Sequence, residues 1–333
     1  MSIGIGLIGA SQIAAGAMIP AFRDYPDCEV VSVYSSNPER GQHYAEANNI
    51  PKSVSTLQDL LADPQVQAVY ISTTNELHHA QVLAAAAAGK HILCEKPLAM
   101  SLQEARAMVD ACREAGVVLA VNHHLRNATA IRKLRELVQG GAIGRPLAAR
   151  VNHAVYLREN LQGWRINNPA AGGGVVLDIV VHDIDTLRFI LGSEPLEVVS
   201  LSQQAGMSQQ VEDGNMAVFR FSDGLLAQVH TAFTVKYAGN GLEIHGEAGS
   251  LSVDNVLGRA ASGPVKLRTA EGEQLIALQP LSLDAETVRC FVAAIQGQGE
   301  PVVDGEAGLA SLAAALACLQ AADTGQMVRL ASD

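Results

Sequence analysis

Ile3-Gly4-Ile5-Gly6-Leu7-Ile8-Gly9-Ala10-Ser11-Gln12-Ile13-Ala14 reads as a strand, a tight turn and the start of a helix. Ile3 to Ile8 is an apolar run of strand length, and an alanine-rich stretch follows the turn. A dinucleotide-binding turn requires this order of elements, because the backbone must reverse sharply and present N–H groups to a pyrophosphate; a plain strand-to-helix turn would look similar. The pattern departs from Gly-x-Gly-x-x-Gly at two places. Ala14 stands for the third glycine and still allows close packing; Ser11 stands for the second, leaving less room but bringing a hydroxyl that can donate. The reading predicts an α/β chain opening on a parallel, doubly wound Rossmann domain.

Composition sets the frame around that stretch. A chain of 333 residues with 48% hydrophobic content has the length for two domains with sizeable cores. Its net charge of -11 argues against nucleic acid or an anionic membrane surface as partner, since phosphate backbones demand clustered Lys and Arg. Cys28, Cys94, Cys112, Cys290 and Cys318 are scattered, odd in number and without metal-ligand spacing, which fits a reducing compartment. The first basic residue is Arg23, so no basic leader is expected, and apolar runs such as Val82 to Ala88 are too short for a membrane span. A cytoplasmic globular protein with no membrane and no nucleic-acid partner is the expectation.

Further strands follow in order. Glu29 to Tyr34 ends about 20 residues past the glycine turn, where an NAD enzyme places a carboxylate on the ribose. Here the tip is Ser35-Ser36-Asn37-Pro38-Glu39-Arg40, which suits a 2′-phosphate and so NADP(H), and also suits a helix start capped by Asn37 with Pro38 in its first turn. Val66 to Ser72 is a buried strand, followed by Thr73, Thr74 and Asn75 at the end where open α/β sheets bind ligand. Lys90 to Cys94 is another, and it leads into Glu95-Lys96-Pro97. An ammonium at a strand tip can polarise a carbonyl or meet a nicotinamide ribose; a surface Glu–Lys turn would look the same. After Val117 to Val121 the chain leaves the domain at Asn122.

The second decisive stretch is Gly172-Gly173-Gly174-Val175-Val176-Leu177-Asp178-Ile179-Val180-Val181-His182-Asp183-Ile184-Asp185, running on to Gly192. At roughly 100° per residue one helical side is apolar, while Asp178, His182 and Asp185 cluster within about 60° on the other. Two carboxylates and an imidazole among Ile179, Val181 and Phe189 suit the floor of a cleft. An i, i+4 surface pair, or two ligands of an incomplete metal site, would give the same letters. Trp164-Arg165, just upstream, can stack on and grip a sugar; a core tryptophan beside a surface arginine would give the same letters. His153 and Tyr156 fall on opposite faces of a putative strand, so a regular strand sends at most one toward substrate.

Taken together, Leu7-Ile8-Gly9-Ala10-Ser11, Thr73-Thr74-Asn75 with His78, Ala87 to Pro97 and the Gly172…Asp178…His182 helix resemble the glucose-fructose oxidoreductase, inositol dehydrogenase and rhizopine-catabolism family, along essentially the whole chain. The resemblance implies an NADP-binding Rossmann domain over 1–122 and a substrate or oligomerisation domain over 123–333. The second would be α+β with an open, mostly antiparallel sheet, strands being plausible at 147–157, 196–203, 215–222, 225–234, 242–246 and 250–254, and with C-terminal helices packing back. It implies NADPH-dependent reduction of a cyclic sugar ketone, 1,5-anhydro-D-fructose to 1,5-anhydro-D-mannitol foremost. His182 would donate the proton, Lys96 polarise the carbonyl and Asp178 orient the imidazole; exchanging the roles of His182 and Lys96 satisfies the sequence equally. Cofactor contacts are implied at Gly9, Ala10, Ser11, Gln12, Ile13, Ser35, Ser36, Arg40, Ser72, Thr73, Thr74, Asn75, His78, Glu95, Lys96, Asn122, Trp164 and Arg165. Substrate contacts are implied at Lys96, His153, Trp164, Arg165, Asp178 and His182, with no metal. An NAD-linked inositol or polyol dehydrogenase and a non-catalytic NADP-binding sensor are the competing readings, and the subunit number stays open.

Overall fold

A computed structural model describes residues 2–259 and 263–330 and divides into two compact units, Met1–His124 with Leu283–Leu309 and Leu125–Ser282 with Ala310–Asp333. In the first, β1 (Ile3–Ile8), β2 (Cys28–Tyr34), β3 (Lys52–Val54), β4 (Ala68–Ile71), β5 (His91–Cys94) and β6 (Leu119–Val121) form a parallel sheet in the order β3-β2-β1-β4-β5-β6. This is the doubly wound order, and its direction of winding reverses between β1 and β4. All six residues of β1 are buried, which is why it reads as a continuous apolar run rather than an alternating one.

The turn after β1 is shaped by what lies beside it. Gly9 N donates to Tyr34 O at 3.1 Å, and Ser72 N donates to Ile8 O at 3.0 Å, so the ends of β2 and β4 clamp the turn. Gly9 has φ +107°, and a Cβ there would stand 3.0 Å from Thr73 Cγ2 and 3.3 Å from Thr73 N. Both the dihedral and the close backbone demand glycine.

The core under this sheet joins Ile5, Leu7, Met18, Phe22 and Tyr70 to Val288, Phe291 and Val292 of the helix Leu283–Ile295. Each such side chain contributes about 1.5–3 kcal/mol by leaving water. The segment that follows lies along β6: Val121 N donates to Val303 O at 2.9 Å, and a Cβ on Gly308 would meet Val121 Cγ2 at 2.6 Å.

The second unit is built on nine strands: β7 (Pro146–Ala154), β8 (Pro195–Gln203), β9 (Gly214–Phe221), β10 (Leu226–Ala232), β11 (Gly241–Gly246), β12 (Gly249–Asp254), β13 (Val265–Thr269), β14 (Gly272–Ile276) and β15 (Val328–Arg329). Their order is β14-β13-β12-β11-β7-β10-β9-β8-β15, antiparallel at every neighbour except β7 with β10. The mostly antiparallel sheet expected from alternation is therefore present. Strand β9 shows the rule: Ala217, Phe219 and Phe221 are buried while Met216, Val218 and Arg220 are exposed. The short, polar β14 and the two-residue β15 carry too little pattern to be legible in advance.

On this sheet the helix Val181–Leu191 packs against β7 and against the helix Thr129–Gln139, whose Ile131, Leu134 and Val138 form its buried stripe. The helix Gly305–Thr324 is long and apolar enough to cross a membrane by composition, yet 56% of its apolar window is buried in the fold. Its Ser311 accepts from Arg188 Nη1 and donates to Asp185, which marks a core helix.

Replacing Gly9 with alanine is expected to lower the stability of the first unit by about 1–3 kcal/mol. The check is a urea titration, in which the midpoint should fall with the slope retained; an unmoved midpoint would mean that the turn relaxes freely.

Candidate active site

At the β1 turn the exposed edge is formed by Gln12, with Gly9, Ser11 and Ile13 half-buried. The Ser11 hydroxyl, which by sequence can donate to a phosphate, is engaged within the protein: it accepts from Ala14 N at 3.1 Å and shares a hydrogen bond of 2.7 Å with Ser72 Oγ. The bond from Ala14 N ties it to the start of the π-helical turn Ala14–Met18. Arg40 donates through Nη2 to Ala10 O at 2.7 Å, and Tyr44 donates to Ser11 O at 2.8 Å. An exposed guanidinium therefore sits on the turn itself, brought there by a helix that Asn37 caps by accepting from Arg40 N at 2.9 Å.

Ser35 and Ser36 separate. Ser36 is exposed, whereas Ser35 is buried with its Oγ accepting from Asn37 N, close to Gly41. Only one of the two hydroxyls faces outward, because the alternation of β2 carries through its tip and turns Ser35 inward.

Along the ends of β4 and β5 most hydroxyls and amides are likewise committed. Thr73 donates to Gln81 Oε1 at 2.7 Å and Thr74 to Glu76 Oε1 at 2.8 Å, while Ser72 and Asn75 are buried. His78 is fully buried, and desolvation holds its imidazole below the ordinary pKa; its Nδ1 lies 2.9 Å from Pro97 O and its Nε2 3.3 Å from Thr73 O. Glu95 Oε1 accepts from Tyr70 Oη at 2.6 Å and from Asn122 Nδ2 at 2.7 Å. Asn122 and His78 thus stand behind the strand tips rather than at their surface. What they brace is the Glu95-Lys96-Pro97 turn, with a cis Lys96–Pro97 bond and Lys96 half-buried at its apex.

In the second unit the three glycines do three jobs. Gly172 ends a short helical turn at φ +80°. Gly173 lies where a Cβ would be 2.8–3.0 Å from the carbonyls of Trp164, Arg165 and Asn168. Gly174, at φ +114°, lies against Glu212, whose Oε1 a Cβ would approach to 2.3 Å. Without that side chain Glu212 reaches the helix start: its carbonyl accepts from Val175 N at 3.1 Å and its Oε1 from Val176 N at 3.0 Å. These are two of the N–H groups that a helix leaves unmatched at its beginning.

The helix then opens with a π-helical turn, Val176–Val180, before the α-helical Val181–Leu191. Such turns carry an extra residue and recur at functional sites. They also upset counting at 100° per residue. Asp178 is half-buried with Oδ1 3.5 Å from Arg165 Nε, and the Arg165 guanidinium stacks 4.7 Å from the centre of the Trp164 ring. Trp164, Arg165 and Asp178 are brought together. His182, 8% exposed, follows on the same helix. Asp185 leaves the face on which periodicity put it: it is 1% exposed and grips Arg126 through two hydrogen bonds of 2.7 and 2.8 Å.

His153, near the end of β7, bonds Asp183 Oδ1 through Nδ1 at 2.7 Å. Tyr156 lies beyond the strand, exposed under Lys236. Asp183 escapes sequence reading because the helical period turns it toward the core, and no spacing rule links it to a strand thirty residues earlier. Among the described residues, no three His, Cys, Asp or Glu side chains gather as metal ligands would.

The family model described as "Oxidoreductase family, NAD-binding Rossmann fold" for GFO/IDH/MocA proteins matches residues 3–123, and that of the GFO/IDH/MocA C-terminal domain matches residues 131–252. A 1,5-anhydro-D-fructose reductase of Ensifer adhaerens is 55% identical over 326 residues, covering 98% of each chain. A levoglucosan dehydrogenase of Pseudarthrobacter phenanthrenivorans is 31% identical, covering 75% of this chain and 73% of its own. Among solved structures, an aldose-aldose oxidoreductase from Caulobacter crescentus complexed with glycerol superposes with a TM-score of 0.90 at 26% identity, over 99% of this chain and 100% of that one.

Burial raises the pKa of Glu212, against the opposing bonds from Val176 N and its own backbone. The folded pKa lies above the unfolded one, so the stabilising contribution is complete below the unfolded carboxylate range and is lost as pH rises through the folded value. Glu212→Gln keeps an acceptor for Val176 and removes the titration. Relative to the variant, the wild type should therefore lose thermal stability on going from pH 4 to pH 7, and a pH-independent difference in Tm would contradict the burial argument.

Proposed function

We propose that this chain, which belongs to the GFO/IDH/MocA oxidoreductase family, reduces a cyclic sugar ketone with NADPH, converting 1,5-anhydro-D-fructose to 1,5-anhydro-D-mannitol. The observation that carries the reading is its 55% identity, along 98% of both chains, to the Ensifer adhaerens protein named for that substrate.

The turn fits a dinucleotide by its own geometry. Gln12 is exposed and Gly9, Ser11 and Ile13 are half-buried, so main-chain groups at the end of β1 lie where a pyrophosphate can approach. Gly9, Ala10, Ser11, Gln12 and Ile13 would hold the pyrophosphate through main-chain groups, with Ser72, Thr73, Thr74 and Asn75 beside them. Ser36 and Arg40 would take the 2′-phosphate, since the tip of β2 offers a hydroxyl and a guanidinium in place of a carboxylate. When bound, the dinucleotide supplies the hydride.

The remaining chemistry belongs to the chain. Negative charge grows on the ketone oxygen as its carbon is reduced, and a cation and a proton donor stabilise it. Lys96 supplies the cation, held at the apex of a turn braced by Glu95, His78 and Asn122. His182 gives the proton, an imidazole being able to exchange one near neutral pH. Asp178, one turn before it, orients the ring and is itself aligned by Arg165. Trp164, Arg165 and His153 meet the sugar: an indole face for its C–H surface, polar groups for its hydroxyls.

Turnover of 1,5-anhydro-D-fructose with NADPH tests the reading. Lys96→Ala and His182→Ala should each lower kcat by about 10²- to 10⁴-fold while leaving NADPH binding, measured by cofactor fluorescence, within a few fold; normal turnover in either removes that residue from the chemistry. Arg40→Ala should raise the KM for NADPH by about 10- to 100-fold, the loss of one charge-assisted hydrogen bond or more, with NADH unaffected. Equal losses for both cofactors, or a wild-type preference for NADH, would overturn the phosphate assignment.

A further inference from the structure

We propose that Asp183 is a positioning residue: it holds His153 in the tautomer protonated at Nδ1, so that Nε2 presents a lone pair to a hydroxyl of the sugar. The proposal rests on the reading above that His153 contacts substrate.

The geometry begins with an unusual placement. Asp183 is fully buried in the helix Val181–Leu191, where an unpaired carboxylate would cost several kcal/mol. Its Oδ1 lies 2.7 Å from His153 Nδ1, and His153 is 8% exposed. An ionised carboxylate only accepts hydrogen bonds, so the nitrogen facing it carries the hydrogen. In a neutral imidazole the other nitrogen is then the acceptor, which is how a partner on one side of a histidine decides what the opposite side offers.

Rigid elements enforce the arrangement from both directions. His153 is the penultimate residue of β7, paired with Thr231 of β10, and Thr231 is fully buried on the same rung. Asp183 follows His182 directly in the chain, so the bond to His153 also ties β7 to the helix turn that bears the assigned proton donor. A sugar hydroxyl is both donor and acceptor; a ring fixed as acceptor reads it in one orientation only. The expected consequence is selection for a ring whose hydroxyl donates at that point, expressed in KM rather than in the chemical step.

The test combines a spectrum with a double-mutant cycle. In wild-type protein labelled with ¹⁵N-histidine, long-range ¹H–¹⁵N correlation should show His153 with a protonated Nδ1 and a bare Nε2. A protonated Nε2, whether as the other tautomer or as imidazolium, overturns the proposal without any variant being made. Asp183→Asn should raise the KM for 1,5-anhydro-D-fructose about tenfold, with kcat and NADPH affinity retained, and should add nothing further in a His153→Ala background. An undiminished effect of Asp183→Asn in that background would mean that Asp183 acts elsewhere, and the proposal fails. If His153→Ala leaves KM unaltered, the substrate contact fails and takes the proposal with it. NADPH-linked reduction itself would stand, being tested separately at Lys96 and His182.

Discussion

A glycine without a side chain and a glutamate partly withdrawn from water meet at the start of the helix that carries Asp178 and His182. Gly174 leaves room for Glu212 to reach in, and the Glu212 carbonyl and carboxylate occupy the N–H groups of Val175 and Val176. A helix start buried without such partners would lose the equivalent of two hydrogen bonds. Because the partner comes from the segment leading into β9 rather than from the adjacent chain, the helix start is tied to the edge of that strand. Every side chain further along it inherits that placement, including Asp178, His182 and the carboxylate that reaches His153.

The first unit solves the same problem by a similar device. Each group that faces outward is braced by one that does not. Arg40 rests on the Ala10 carbonyl, and the Lys96 turn is held by His78 on Pro97 and by Tyr70 and Asn122 on Glu95. None of the bracing groups need touch a ligand to matter, since a displacement of an ångström at a reactive group costs far more than the bond that prevents it. At strand ends the backbone is held by the sheet while the next residues are free to turn, which is where open α/β sheets bind ligand.

Much of this was legible in advance. Ile3 to Ile8 is continuously apolar because β1 is buried on both faces, and Gly9 is required by a dihedral that the adjoining strand imposes. The alternation at 214–221 and the stripe at Ile131, Leu134 and Val138 are direct records of burial. Other side chains are placed by local contacts that the letters do not show. The Ser11 hydroxyl accepts from Ala14 N and meets Ser72, and Ser35 turns inward one residue past the strand. The extra residue in the π-helical turn shifts Asp178 relative to the residues after it, and Asp185 is taken up by Arg126 and Ser311.

By itself the sequence determined the elements and their class: a period of two or of 3.6, a glycine where φ must be positive, and an uninterrupted apolar run where a strand is covered on both sides. These are consequences of short-range sterics and of the removal of apolar surface from water, and they are written in neighbouring letters. Only the tertiary structure decided which polar groups face each other. Asp183 with His153, Glu212 with Val176, Asn122 with Glu95 and the helix Leu283–Ile295 with the core of β1 and β4 are all pairings across tens to hundreds of residues. A buried polar atom needs some partner, but which one depends on how the chain closes around it.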